Sequence, residues 1–429
     1  MNPLAAGSPE TMAIALLCGI QFVAVLDTTI VAVALPAIEH DLGFDAATLQ
    51  WVVTAYTLAF GGLLIPAGRA GDLLGHRRLF VAGLALFTAA SAGCALAASP
   101  GTLVGLRALQ GAGSALMTPA ALALLRRRAL GVWTAAAAGG GAAGWALGGI
   151  LTERYGWPAI FVVNVPLGLA GIAVATRVLP RGGAARRATR LDLPGAAAIV
   201  AALVALVYGV SERSLLALAG AGSLLAVFVA IERRATDPIL PFAVLRNRPF
   251  VRANVVAGAL TAATTPAMLL SILHQQQDLH RTATEVGLAC VPFNVAVIAG
   301  SLRGGRMAAG LAAVAAGAAL LLTGAFIPAY VVMGYGLGVA ATASTAKGTA
   351  ALPERAGVAS GLLNAAAQVG TVVGLAVLTP LGSRAGFIGA AAIALAAQLA
   401  GGSGQQRQHA RAQQRNDRHA ERRMQPADH

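Results

Sequence analysis

The sequence predicts an all-α polytopic membrane protein of about fourteen transmembrane helices, on three observations. Of its 429 residues, 57% are hydrophobic and only 11% are charged, too little charge to cover a soluble domain of that size. Apolar stretches long enough to cross a hydrocarbon core of roughly 30 Å recur from end to end, with only short polar breaks between them. The basic residues collect in alternate breaks, the pattern that orients membrane helices.

The spans read in order as 12–36, 48–68, 79–98, 101–125, 130–151, 158–178, 193–211, 214–231, 250–273, 283–302, 308–324, 326–346, 356–380 and 384–401. An even count returns both termini to one side. Alternate loops put Arg69, Arg77, Arg78, Arg126 to Arg128, the arginines of 177–190 and 233–252, Arg303, Arg306, Lys347, Arg355 and six tail arginines on one face. The other face receives Arg154, Arg213, Arg281 and Arg384, and Arg107 lies inside a span. The basic face is therefore expected to be cytoplasmic, in a plasma (inner) membrane, with both termini on that side. The formal charge of +14 is explained by these loops and by anionic lipid, so no nucleic acid partner is implied.

The first span carries one carboxylate, Asp27, near mid-membrane. A charged side chain there costs about 2.5–3.5 kcal/mol on insertion scales and normally faces a bundle interior or a wet cavity. Asp27 is thus a candidate proton or cation site, or else a structural acid hydrogen-bonded to a neighbouring helix. Residues before Met12 hold Glu10 and no Lys or Arg, and the run after them is too long for a cleavable signal. After the second span, Gly68, Asp72, Gly75, Arg77 and Arg78 read as a tight loop. Glycine permits close backbone approach and positive φ there, and a carboxylate suits a facing helix N-terminus. The alternative is a solvated turn with orienting arginines.

In the fourth span Arg107 enters about 9 Å from the outer end at helical rise, with Gln110 on the same face and Gly111 and Gly113 beside it. It either snorkels to the interface or faces a cavity in polar company. The fifth span spaces Gly140, Gly144 and Gly148 by four, with Gly149 next, which lets membrane helices pack backbone to backbone. Cys18, Cys94 and Cys290 lie in three separate spans and suggest neither disulfide nor metal site. His274, Asp278 and His280 lack ligand spacing, and no nucleophilic set points to an enzyme. Residues 402–429 are polar, Arg- and Gln-rich and without apolar periodicity, a disordered tail by composition.

Leu26-Asp27-Thr28-Thr29-Ile30-Val31 through Pro36, Gly68 through Arg78, Arg107 through Gly113 and Gly144 through Gly149 occur in the order seen in the major facilitator superfamily. Phe161 through Gly168 and Gly357 through Asn364 add to the match. The chain resembles the fourteen-helix drug–proton antiporter branch in particular. The resemblance implies two six-helix bundles, 1–178 and 250–401, with two inserted helices and their basic flanks at 179–249, and a central cavity opening alternately to each side.

It further implies export of a small hydrophobic or cationic substrate against proton entry. No cofactor is expected beyond the proton gradient, and a monomer in the bilayer is expected. On this reading Asp27, Arg107 and Gln110 couple proton and substrate, Gly68 to Arg78 gate the cytoplasmic side, and Gly140, Gly144, Gly148 and Gly149 form a packing hinge. A dedicated metabolite exporter or symporter, or a non-transporting sensor, are the alternatives. The chain departs from the family pattern at Trp145, where Pro usually follows the glycine, and at Ala70 and Leu73. It also departs in the short Arg126–Arg128 loop and in the acid-free Gly300–Gly305 loop.

Overall fold

A computed structural model describes residues 9–45, 48–125, 129–180, 193–212, 214–235, 242–352 and 356–399. The arginine-rich loops at 126–128 and 181–190, and the tail, lie outside the described residues. All regular structure among the described residues is helical. The helices are α1 (Pro9–Leu42), α2 (Trp51–Leu74), α3 (His76–Ala95), α4 (Pro100–Leu124) and α5 (Leu130–Tyr155). Next come α6 (Ala159–Val178), α7 (Leu193–Ser211), α8 (Leu215–Arg234), α9 (Arg248–Leu273) and α10 (Ala283–Arg303). The last four are α11 (Met307–Leu320), α12 (Phe326–Ala350), α13 (Ala356–Leu378) and α14 (382–399). Fourteen helices are thus present among the described residues, and eight stretches of them are individually long and apolar enough to cross a membrane.

Local chemistry sets the helix ends. Ser99 accepts from the Thr102 amide at the start of α4, with Pro100 in the first turn, where its missing N–H costs nothing. Thr282 and Glu285 form a reciprocal capping box on α10. In α6 the regular pattern falters at Val163, because Pro166 has no amide to donate to the Val162 carbonyl.

The boundary between α2 and α3 differs from expectation. The predicted loop from Gly68 to Arg78 is mostly helix: α2 continues to Leu74 and α3 begins at His76. Gly75 alone breaks the run, at φ 93° and ψ 126°, a region that side chains with a Cβ rarely adopt. Alanine, leucine, arginine and aspartate in the expected loop are all compatible with helix.

In the first half α1 packs on α5 and α6, α2 on α4, and α3 on α4 and α6. In the second, α9 packs on α12 and α13, and α12 on α10 and α11. Phe387, Ala390, Ala394 and Ala397 of α14 join that half's core. The two halves meet along α5 against α10 and α2 against α13. Helices α7 and α8 pack on each other, and α7 closes a small core with α2 and α13 through Val207, Leu58, Val372 and Ala376. Cys18, Cys94 and Cys290 are buried and free.

Candidate functional site

α1 runs from the basic face to the opposite face and brings Asp27 to mid-depth, fully buried inside the first half. α4 runs antiparallel to it and delivers Arg107 and Gln110 one turn apart on the same side. The Arg107 guanidinium donates through Nη1 to Asp27 Oδ2 at 2.7 Å and to Gln110 Oε1 at 2.6 Å, and through Nε to the Val52 carbonyl at 3.0 Å. Gln110 Nε2 donates to Asp27 Oδ1 at 2.8 Å and to Ser91 Oγ at 2.7 Å. Asn164 Nδ2, from α6, donates to the same Asp27 Oδ1 at 2.7 Å. The carboxylate therefore accepts from three residues on two other helices.

Two charges removed from water need such satisfaction, since mutual attraction alone often fails to offset their desolvation. Gly111 makes the approach possible: a Cβ there would stand 2.3 Å from the Tyr56 carbonyl oxygen. The guanidinium carbon lies 4.5 Å from the centre of the Tyr56 ring, a cation–π contact. Tyr56 in turn donates to Ser114 Oγ at 2.8 Å.

The three residues expected to couple proton and substrate are thus brought together. They face the interior of the first half, and neither Asp27 nor Arg107 lines the central cavity in this conformation. Two contributors were not assigned from sequence. Asn164 stands in a quoted motif and is a lone amide in an apolar run, which is a usable signal. Ser91 carries none, because a single serine in a membrane helix is commonplace.

The central cavity lies between the halves and measures about 400 Å³. Its wall includes Thr28, Thr29, Tyr56, Phe60 and Trp145 from the first half and Phe293, Asn364 and Gln368 from the second. No Asp, Glu, Lys or Arg is among its lining residues. A second cavity of about 230 Å³ shares Thr261, Leu337 and Asn364 with it and extends past Ser344 and Thr345 toward the basic face. Tyr56 belongs both to the cavity wall and to the Arg107 cluster.

At the opposite face the halves are joined. Gln277 donates to Glu39 Oε2 at 2.6 Å, Gln276 to the Val33 carbonyl at 3.0 Å, and the Thr284 amide to Glu153 Oε2 at 3.1 Å. The hydrogen bonds from Thr284 hold the Glu153 carboxyl below the ordinary glutamate range. Leu269, Leu273 and Leu375 of the second half join a core built on Ile38, Leu49 and Val52 of the first.

The glycines of α5 divide between two partners. Gly140, Gly144 and Gly148 meet the α1 backbone at Phe22, Leu26 and Ile30, whereas Gly149 meets Ala283 and Thr284 of the other half. Around the bend at Gly75, Arg77 Nη2 donates to the Thr176 carbonyl at 2.6 Å in the last turn of α6, a favourable place for a cation. Gly68 lies beside Pro119 of α4, and Arg78 is exposed. The side chain of Asp72 lies outside the described residues. His274 and Asp278 bond to each other at 2.5 Å, and no metal-holding group occurs among the described residues.

The sequence model of the Major Facilitator Superfamily matches residues 17–375. The chain is 38% identical over 412 residues to the cephamycin export protein CmcT of Amycolatopsis lactamdurans, covering 86% of this chain and 85% of that one. It is 36% identical over 405 residues to the puromycin resistance protein pur8 of Streptomyces alboniger, covering 85% and 80%. Among solved structures, a POT family transporter in complex with a thioalcohol-conjugated peptide matches with a TM-score of 0.64 at 15% identity, over 90% of this chain and 94% of that one. A bacterial homolog of the human lysosomal transporter Spinster, inward-facing and unoccupied, matches at 0.61 and 17% identity, over 86% and 82%. At such identities the two structures speak to the fold alone.

Proposed function

The chain belongs to the major facilitator superfamily, a family of membrane transporters rather than enzymes, and from that membership we propose that it exports a hydrophobic antibiotic-like molecule in exchange for protons. The observation that carries this reading is the shared residue Tyr56, which lines the cavity and carries the Arg107 guanidinium over its ring. Protonating Asp27 would remove the countercharge of Arg107, whose guanidinium must then find new acceptors. Any such movement alters the wall that substrate touches. Proton and substrate would in this way favour different conformations of one site, and each would bias the equilibrium against the other.

The closed opposite face and the second cavity toward the basic face fit a state that loads from the basic side. That side is cytoplasmic on the arginine distribution, with both termini there. Relatives named for single antibiotics, cephamycin and puromycin, favour a dedicated exporter over a broad one. The neutral cavity wall favours hydrophobic over cationic cargo. Bending at Gly75, with Asp72 and Arg78 nearby, would let the basic side close when the cavity turns outward.

Purified protein in liposomes with an imposed pH gradient tests the proposal, with uncharged hydrophobic antibiotics as first probes and puromycin and a cephamycin as charged comparisons. Transport of at least one should depend on the gradient and collapse with an uncoupler. Asp27→Asn protein that reaches the membrane and pumps as fast as the parent removes the proton site from this account.

A further inference from the structure

Trp145 stands on α5 where the halves meet. Its carbonyl oxygen would lie 2.3 Å from a Cβ at Gly287 of α10, so glycine on the facing helix lets the backbones close over it. The side chain is only 6% exposed and borders the central cavity with Tyr56, Phe60 and Phe293. Its indole Nε1–H is buried and has no hydrogen-bond partner within the protein.

The hydroxyls on the same wall are differently disposed. Thr28, Thr29, Thr57, Thr261 and Thr264 each donate to main-chain carbonyls at 2.5–3.4 Å, and Tyr56 donates to Ser114. These groups turn acceptor lone pairs and methyls to the cavity. A buried N–H left without a partner is unfavourable, so the Trp145 donor is open to an acceptor that arrives from outside the protein.

We infer that Trp145 is a specificity-determining residue that donates its indole N–H to a carbonyl or ether oxygen of an uncharged aromatic substrate, whose ring lies among Tyr56, Phe60 and Phe293. The inference rests on the export reading for its biological meaning and on geometry alone for the contact. The wall offers π faces, the unpaired Trp145 donor at its edge and the side-chain amides of Gln21, Asn364 and Gln368. It offers no carboxylate for a cation and no guanidinium or ammonium for an anion. An aromatic with a hydrogen-bond acceptor meets each of these features.

Equilibrium binding in lipid nanodiscs, with no gradient imposed, tests the contact apart from transport. The probes are 9,10-anthraquinone, which carries acceptors, anthracene, which has the same rings without them, and tetraphenylphosphonium as a lipophilic cation. Trp145→Phe keeps a ring and deletes the donor. It should weaken anthraquinone about tenfold, the measure of one buried hydrogen bond, and leave anthracene unchanged.

The unaltered protein gives a second readout through its four tryptophans. One indole N–H resonance should move downfield on adding anthraquinone and stay in place with anthracene. Equal losses for both probes in Trp145→Phe, an unmoved indole spectrum, or tighter binding of tetraphenylphosphonium than of anthraquinone each overturn the inference. Binding as described without gradient-driven flux would sink the export reading and leave this contact standing.

Discussion

Arg107 is the largest fully buried side chain of the first half, and its neighbours satisfy its charge. It is 1% exposed, yet three of its contacts are charge-assisted or carbonyl hydrogen bonds and a fourth is an aromatic face. Asp27→Asn therefore leaves a buried guanidinium without its countercharge. Removing one member of a buried pair costs about 3–5 kcal/mol, so the single variant should melt well below the parent in detergent. Asp27→Asn combined with Arg107→Gln removes both charges and should regain part of that loss while remaining inactive in coupled transport. A double variant no more stable than the single one would mean that the pair is not coupled. Asp27, Arg107 and Gln110 were legible in the sequence, since isolated polar groups in apolar runs demand partners. Their mutual contact was not, because it joins positions 80 and 83 residues apart in the chain. Asn164 was passed over for the same reason, its bond to Asp27 spanning 137 residues.

At the scale of the element, α5 is two interfaces on one helix. The face of Gly140, Gly144 and Gly148 lies on α1, and a Cβ at Gly144 would fall 1.9 Å from Thr29 Oγ1 and 2.7 Å from the Leu26 carbonyl oxygen. Thr29 can rotate away, but the backbone carbonyl cannot. Gly144→Ala should thus destabilise by about 1–3 kcal/mol, the usual cost of overpacking. Gly105→Ala on α4, where nothing lies within 4 Å, should stay within about 0.5 kcal/mol of the parent. Thermal unfolding of the two variants side by side checks the contrast, and equal melting points would show that the α1–α5 contact has slack. The four-residue spacing announced this face. The other face, turned to α10, was hidden because Trp145 interrupts the run of small residues between Gly141 and Gly149. Helix α2 was misjudged for a related reason. Glycines at 68, 71 and 75 suggested a turn, yet only Gly75 adopts a positive φ, and Gly71 instead makes room for the His76 ring.

Across the whole molecule the two halves differ in their buried polar chemistry: the ion pair described here lies in the first half, and the second carries the Ser271, Tyr330 and Gln275 hydrogen bonds. The helix count follows from hydropathy and arginine placement, whereas the division into two bundles was implied only by the family resemblance. Which face is closed follows from neither, because it depends on weak contacts between residues more than a hundred positions apart. Glu153 is one such contact, and it makes closure sensitive to acid. Its carboxyl is held below the ordinary glutamate range by hydrogen bonds from Thr284 across the interface. A depressed value means that the closed form favours the ionised carboxylate. Its contribution to closure is complete above the ordinary glutamate range and is lost as pH falls through the depressed value. Spin labels at the exposed positions Tyr155 and Leu279, one on each half of this face, should report a longer or broader separation as pH is lowered through that window. Carrying the measurement out with Glu39→Gln in place silences the second carboxylate that bridges the halves. Adding Glu153→Gln then keeps an acceptor for the Thr284 amide but nothing to titrate, and the separation should become flat across the same window. A pH response that survives both substitutions would assign the sensitivity to other groups and leave Glu153 as a static contact.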